Sequence, residues 1–354
     1  MKNLKTETFF DLVPKDKFFK YIAASKSRET KSCLWETSIK LYLSKFNQYI
    51  KFEKEKKNIN YEMQYLVRTC NNKKNILYLN SFVEMLCHFI NFDEAINIYT
   101  ILKNSVKISD YYIIEHMRSL KIYKNTVFMN NVQCNPLNYG MEHLRKNVIG
   151  ALKKINKTVN FKNIKYLDLC CGDGRKTKVF ASILNIQNIN GTDIEEWGPY
   201  YKNRNLSFNF KLIKNNKLMY DDKSFDIITC FLSLHHIPNL TNMLNEVYRV
   251  LKPDGLFVII EHSSFNIYDD ILINIQHKLF SGLYDNNMEE VKNPSFIRHL
   301  DFIQWDFVIR NTYKFLRVSS GVYTDTHTMS KRYDNQAYMI YKPNPENINY
   351  IKYF

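Results

Sequence analysis

The sequence predicts an α/β protein: a mostly parallel sheet with an antiparallel final strand, covered on both faces and preceded by an α-helical domain. Three observations carry that expectation. Beyond residue 164, short apolar runs alternate with amphipathic stretches, the pattern of strands feeding crossover helices. Before residue 135, apolar residues recur at helical spacing with no strand-like runs between them. Near the end, two strand-like runs at residues 316–323 and 336–341 have only a loop between them and should pair antiparallel.

The front part reads as helices over residues 37–52, 80–89, 92–103 and 110–121. In the first, Ile39, Tyr42, Leu43, Phe46, Tyr49 and Ile50 fall at helical spacing, and the mixed-charge run 51–57 is its solvated end. The phrase FDEAINIYTIL resembles the second helix of a tetratricopeptide hairpin, yet no second copy follows at a fixed period, so a plain helical cap is expected. Asn135-Pro136 marks a joint between a domain of residues 1–135 and one of residues 136–354. Residues 138–154 form an amphipathic helix leading into the sheet. Strands are then expected at 164–169, 189–194, 225–231 and 256–260, and helices at 175–184, 240–251 and 303–310.

Composition bounds the function. The chain has 354 residues, 45% hydrophobic and 24% charged, an ordinary globular mixture that excludes disordered, collagen-like and disulfide-scaffold classes. Its net charge of +15 is unusual. Residues 1–150 hold 24 Lys and Arg against 14 Asp and Glu, so +10 of the excess lies in front. A polyanion such as RNA would suit that charge. Codon bias would also produce it, because Lys greatly outnumbers Arg and Arg is the better bidentate phosphate ligand. The seven cysteines are odd in number and scattered, with no zinc-type spacing, so free thiols, a reducing cytoplasmic setting and no metal are expected. Neither a signal-peptide core at the N-terminus nor an apolar run of membrane-spanning length is visible, so no membrane partner is expected.

The chemistry is concentrated at Tyr166-Leu167-Asp168-Leu169-Cys170-Cys171-Gly172-Asp173-Gly174, between an expected strand and an expected helix. A strand, a glycine-containing turn and a helix start make a nucleotide-type pocket at the carboxyl edge of a sheet, and small residues let the backbone approach a ligand closely. The spacing is not that of a dinucleotide loop, and no Walker lysine follows. It resembles motif I of class I S-adenosylmethionine (SAM)-dependent methyltransferases, D-h-G-x-G-x-G with h apolar, with Cys170 where the first glycine is usual. Downstream, Asn190-Gly191-Thr192-Asp193-Ile194, Asp222-Lys223-Ser224-Phe225-Asp226, Leu234-His235-His236-Ile237 and Glu246-Val247-Tyr248-Arg249-Val250-Leu251-Lys252-Pro253-Asp254-Gly255 are similar, in order and spacing, to the type 11 branch of that family. The faint likeness at Glu261-His262 and at Gln276-His277…Tyr284 is to type 11 enzymes encoded by large DNA viruses.

The resemblance implies a Rossmann-like seven-stranded methyltransferase sheet and SAM as cofactor. It implies cofactor contacts from Asp168, Cys170, Gly172 and Gly174, ribose contacts from Asp193, adenine packing on Ile194, an adenine hydrogen bond from Asn215 or Asn216, and a further contact from Leu232 after the fourth strand. Candidate acid–base or acceptor-side residues stand at carboxyl ends of strands: His235, His236, Glu261 and His262, with His277 and Tyr284 on the substrate side. Motifs of adenine-N, cytosine-C5 and ribose-2′-O methylation are absent. Three functions follow: methyl transfer to a nitrogen or oxygen of RNA bound by the basic front domain, methyl transfer to a small molecule with the helices as a lid, or a non-catalytic interaction protein on the same fold.

Overall fold

The computed structural model describes residues 61–120, 139–195, 208–323 and 336–345, apart from positions 74, 156, 157, 159 and 313. The helix expected at 37–52 and the run 51–57 lie outside them.

Seven strands form one sheet in the order β3-β2-β1-β4-β5-β7-β6: β1 (Lys165–Leu169), β2 (Asn188–Asp193), β3 (Asn209–Leu212), β4 (Phe225–Phe231), β5 (Leu251–His262), β6 (Phe315–Tyr323) and β7 (Gln336–Pro343). Strands β1 to β5 are mutually parallel, and β7 lies antiparallel between β5 and β6. Pairing of the two late strands follows the expectation from their short connection. The helices of this half are α5 (Tyr139–Lys154), α6 (Arg175–Leu184), α7 (Leu240–Val250), α8 (Ile267–Leu279), α9 (Met288–Lys292) and α10 (Phe302–Asn311). They follow four front helices, α1 (Glu62–Thr69), α2 (Ile76–Cys87), α3 (Phe92–Asn104) and α4 (Asp110–Ser119).

Period-2 alternation divides the strand residues between two apolar layers. Leu167, Ile228, Phe257 and Ile259 pack with Leu244 and Val247 of α7 and Trp305 of α10. Tyr166, Ile227, Val258 and Ile260 pack on the opposite face with Leu144 and Val148 of α5 and Phe180 of α6. Side-chain caps fix where helices begin: Asn91 accepts the Glu94 N–H, and capping boxes start α8 (Asn266 with Asp269) and α10 (Asp301 with Gln304).

A third apolar core joins the front helices to the sheet half. Met63, Leu66, Phe82, Phe89, Ile98 and Ile114 pack with Ile267, Ile271, Ile275 and Leu279 of α8. Inside this core, Lys278 Nζ lies 2.9 Å from Glu62 Oε2 and 2.7 Å from Asp110 Oδ2, all three residues being buried. The two carboxylates hold the lysine's pKa above its ordinary value against the pull of burial. Segments expected from separate domains thus share one interior.

The differences from the sequence reading have physical causes. Strand β5 begins at Leu251, five residues before the apolar run, because Leu251 pairs with Phe225 ahead of a bulge. Strand β3, which the resemblance implies ahead of Asn215, carries no apolar run of its own to set its bounds, since none of its four residues is buried. Helix α8 was not anticipated, because its burial against two partners removes the one-sided periodicity that marks a helix.

Candidate functional site

The carboxyl edge of the sheet divides into two halves. On the β1–β2 side, β1 runs into the loop 170–174, in which Cys170, Gly172 and Gly174 all have positive φ (55°, 49° and 70°). Gly174 is the N-cap of α6 in the left-handed region, where glycine carries no Cβ penalty. Cys170 adopts the same region without that freedom. Beside Gly172 nothing lies within 4 Å of where a Cβ would stand, so the loop faces open space.

Asp193 closes the loop from the end of β2. Its Oδ2 accepts the Gly172 N–H at 2.8 Å and its Oδ1 accepts the Ile194 N–H at 2.7 Å. Asp193 is itself buried. Ile194, beside it, is 61% exposed. Asp168 is placed differently: Thr229 Oγ1 donates to Oδ1 and Thr177 Oγ1 to Oδ2, so the buried carboxylate ties β1 to β4 and α6 from beneath the loop. Burial pushes its pKa up to about 7.

Asn215 and Asn216 are the central pair of a two-residue turn closed by reciprocal Lys214–Lys217 backbone hydrogen bonds, both with positive φ. That is the conformation a primed hairpin turn demands and asparagine tolerates. Leu232, following β4, also has positive φ, and its N–H donates to the Ile260 carbonyl at 2.7 Å. Six of the residues singled out from sequence for cofactor contact therefore have positive φ, and the four that are not glycine occupy that region at a cost of about 1–3 kcal/mol.

The β4–β5 half is built from imidazoles. His235 sits in a short 3-10 turn (Leu234–His236) after β4, His262 ends β5, and His277 stands on α8. Glu261, with no exposure, does not open onto the crevice. Its Oε1 accepts the Ser233 and Leu234 N–H groups at 2.9 and 2.6 Å. Its Oε2 accepts the His262 N–H at 3.3 Å and faces His235 Nδ1 at 2.6 Å. Glu261 thus shapes the turn and orients His235. Burial raises its carboxyl to about 7, opposed by these donors. His277 Nδ1 faces the Ile273 carbonyl at 2.7 Å. The rings of His236 and His262 lie 4.1 and 5.0 Å from that of His235, centroid to centroid. Burial, then the neighbouring imidazoles, hold His235 and His277 well below the ordinary histidine range. His236 is lowered as well, chiefly by burial.

The sequence reading missed Thr177 and Thr229, the two hydroxyls on Asp168, and the bridge of α8 to the front helices. Just past a π turn (Phe280–Tyr284) that continues α8, Asp285 lies near enough to Arg175 and Asp173 for their charges to act on it. The segment that follows α8 therefore comes near the loop that follows β1.

A left-handed glycine loop beside open space and a carboxylate ending β2 make a candidate nucleotide-type α/β site. The family described as "Methyltransferase domain", type 11, matches residues 167–259, and that segment is a class I SAM-dependent methyltransferase domain. Among curated proteins, the chain is 35% identical over 123 residues to the demethylmenaquinone methyltransferase of Lactobacillus johnsonii, covering 32% of this chain and 50% of that protein. It is 31% identical over 123 residues to the sterol 24-C-methyltransferase erg-4 of Neurospora crassa, covering 33% and 32%. The match thus spans half or less of those relatives' length. Among solved structures, the YcgJ protein of Bacillus subtilis is 20% identical, with 49% of this chain and 72% of that one covered and a TM-score of 0.34. PH0226 of Pyrococcus horikoshii is 22% identical, with 56% and 91% covered and a TM-score of 0.36.

The cofactor of that class is SAM, and the residues present fit it. The space beside Gly172 admits a ligand against the backbone, the Asp193 carboxylate suits a ribose diol, and exposed Ile194 offers an aliphatic face to an adenine ring. Among the described residues, no helix is long and apolar enough to cross a membrane.

Proposed function

We propose that the protein transfers a methyl group from SAM to a small-molecule acceptor held over the carboxyl ends of β4 and β5. The observation that carries this reading is the Gly172–Asp193 pairing at the open, left-handed loop that follows β1, beside the strands β4 and β5 whose ends carry the imidazoles. Bound SAM would supply an electrophilic methyl and its own leaving group, so the chain's task is alignment.

In this reading the loop 170–174 and Asp193 hold the cofactor, Ile194 and Leu232 flank it, and the Asn215–Asn216 turn approaches its base. Asp168 acts as a positioning residue through Thr177 and Thr229. His236 and His262 bound the acceptor, and Glu261 positions His235. A base is required only if the acceptor nitrogen or oxygen begins protonated. The packing of the front helices on α8, which carries His277, favours a compact acceptor, as do the substrates that the relatives are named for, demethylmenaquinone and sterols. The +10 charge of residues 1–150 favours RNA as a second reading.

The test is methyl transfer from labelled SAM into small-molecule, RNA and protein extracts. Label in the small-molecule fraction is expected. Label confined to RNA would transfer the reading to nucleic acid, and SAM binding without label in any fraction would remove catalysis.

A further inference from the structure

His235 and His277 are oriented in the same way by different partners. As a carboxylate Glu261 can only accept, as it does from three backbone N–H groups, so its contact with His235 Nδ1 at 2.6 Å makes the imidazole the donor. The Ile273 carbonyl can only accept, so His277 Nδ1 is also a donor, at 2.7 Å. Both rings therefore carry their proton on Nδ1 when neutral, and both Nε2 atoms present a lone pair. Those two Nε2 atoms face each other at 3.3 Å. Two lone pairs at that distance repel unless a positive centre lies between them.

A proton or a metal ion would serve. A shared proton would engage only the two facing nitrogens. A tetrahedral ion bound by imidazole nitrogens at about 2.0–2.1 Å separates two of them by about 3.3–3.4 Å. A third ring stands beside the pair: one nitrogen from each of His235, His262 and His277 lies within 4.8 Å of the others. A carboxylate and a backbone carbonyl on the far nitrogens are the outer partners that metal-binding histidines ordinarily have.

We propose that His235, His262 and His277 form a binding site for one divalent first-row transition ion, with Zn²⁺ the best geometric match and Glu261 and the Ile273 carbonyl as its outer partners. Three protein ligands leave a fourth position open. An acceptor oxygen or thiol taking that position would have its pKa lowered. This last consequence rests on the methyltransferase reading; the ion site does not.

Co²⁺ titration of the chelator-treated 354-residue chain at pH 8, followed by visible absorption, tests the site without SAM. One equivalent with a d–d band of four- or five-coordinate intensity is expected, together with displacement by Zn²⁺. His277→Ala and His262→Ala should each abolish the band, Glu261→Gln should weaken binding about 10–100-fold, and exposed His116→Ala should leave it unchanged. Absence of a band in the wild-type chain, or an undiminished band in both His277→Ala and His262→Ala, would overturn the proposal. The wild-type titration decides even where a variant fails to fold. Calorimetry of SAM binding to the same metal-free sample separates the two ideas: heat with SAM but no Co²⁺ band rejects the ion site and leaves the methyltransferase reading standing.

Discussion

The two halves of the crevice are made by different means. On the β1–β2 side, a contiguous stretch of nine residues and one carboxylate nineteen positions later supply nearly everything, and the backbone itself is the working surface. On the β4–β5 side, the groups come from the ends of two strands and from a helix inserted after them, and they meet only through side chains. A backbone-built site depends on local φ and ψ and tolerates side-chain change. A side-chain-built site depends on packing far from itself, because Glu261, Ile273 and the cap all fix the directions of its rings.

Perturbing each half should separate them. The largest effect is expected from Asp193→Ala, which removes the acceptor of the Gly172 N–H. SAM affinity measured by calorimetry should fall at least about 100-fold, as expected when a charge-assisted contact worth about 1.5–3 kcal/mol is lost together with loop order. Undiminished heat would refute the cofactor assignment. Next comes Lys278→Met, which strands Glu62 and Asp110 in the cap core. Denaturant unfolding should show about 3–5 kcal/mol of lost stability, and the imidazole half should suffer before the cofactor half, so acceptor turnover should fall while SAM affinity is kept.

Thr229→Val deprives Asp168 of one hydroxyl donor and leaves the buried carboxyl less satisfied. A loss of about 1–3 kcal/mol is expected in the same unfolding experiment. Linkage gives Asp168 a pH signature. Its folded-state pKa is raised from 3.8 to about 7, so ionisation opposes folding and the cost develops as pH rises between those values. Asp168→Asn lacks that titration. Its stability relative to wild type should therefore climb from pH 4 to pH 7 and level off above; a flat difference would show that the carboxyl titrates normally. The smallest effect is expected from Cys170→Gly. Relief of left-handed strain of about 1–2 kcal/mol exceeds the entropy cost of about 0.5–1 kcal/mol, so stability should rise by at most about 1.5 kcal/mol in the same unfolding experiment, with SAM affinity retained.

The same division governed what could be read from the sequence. β1, β4 and the apolar part of β5 were legible because parallel strands buried on both faces are continuous apolar runs. The loop after β1 was legible because its geometry is encoded by adjacent residues. The bridge of Lys278 to Glu62 and Asp110 was not, since its partners lie 216 and 168 positions away and each looks like an ordinary surface charge. His277 carried a faint motif signal, but its meeting with His235 depends on where α8 lands, and no spacing rule for metal ligands spans three elements. Glu261 left one clue, a carboxylate ending an apolar strand, which marked it as important without revealing that it faces inward.

Helix α8 is shared property. One of its faces completes the interior of the front helices, while its His277 reaches the chemistry at the sheet edge. The cap is therefore not a detachable module: cutting the chain near residue 135 would bare Ile267, Ile271, Ile275 and Leu279 to water and loosen the ring that His277 contributes. Anything that levers the front helices, whether a binding partner or a crowded surface, would be felt at the acceptor end of the crevice as a change in where one imidazole points.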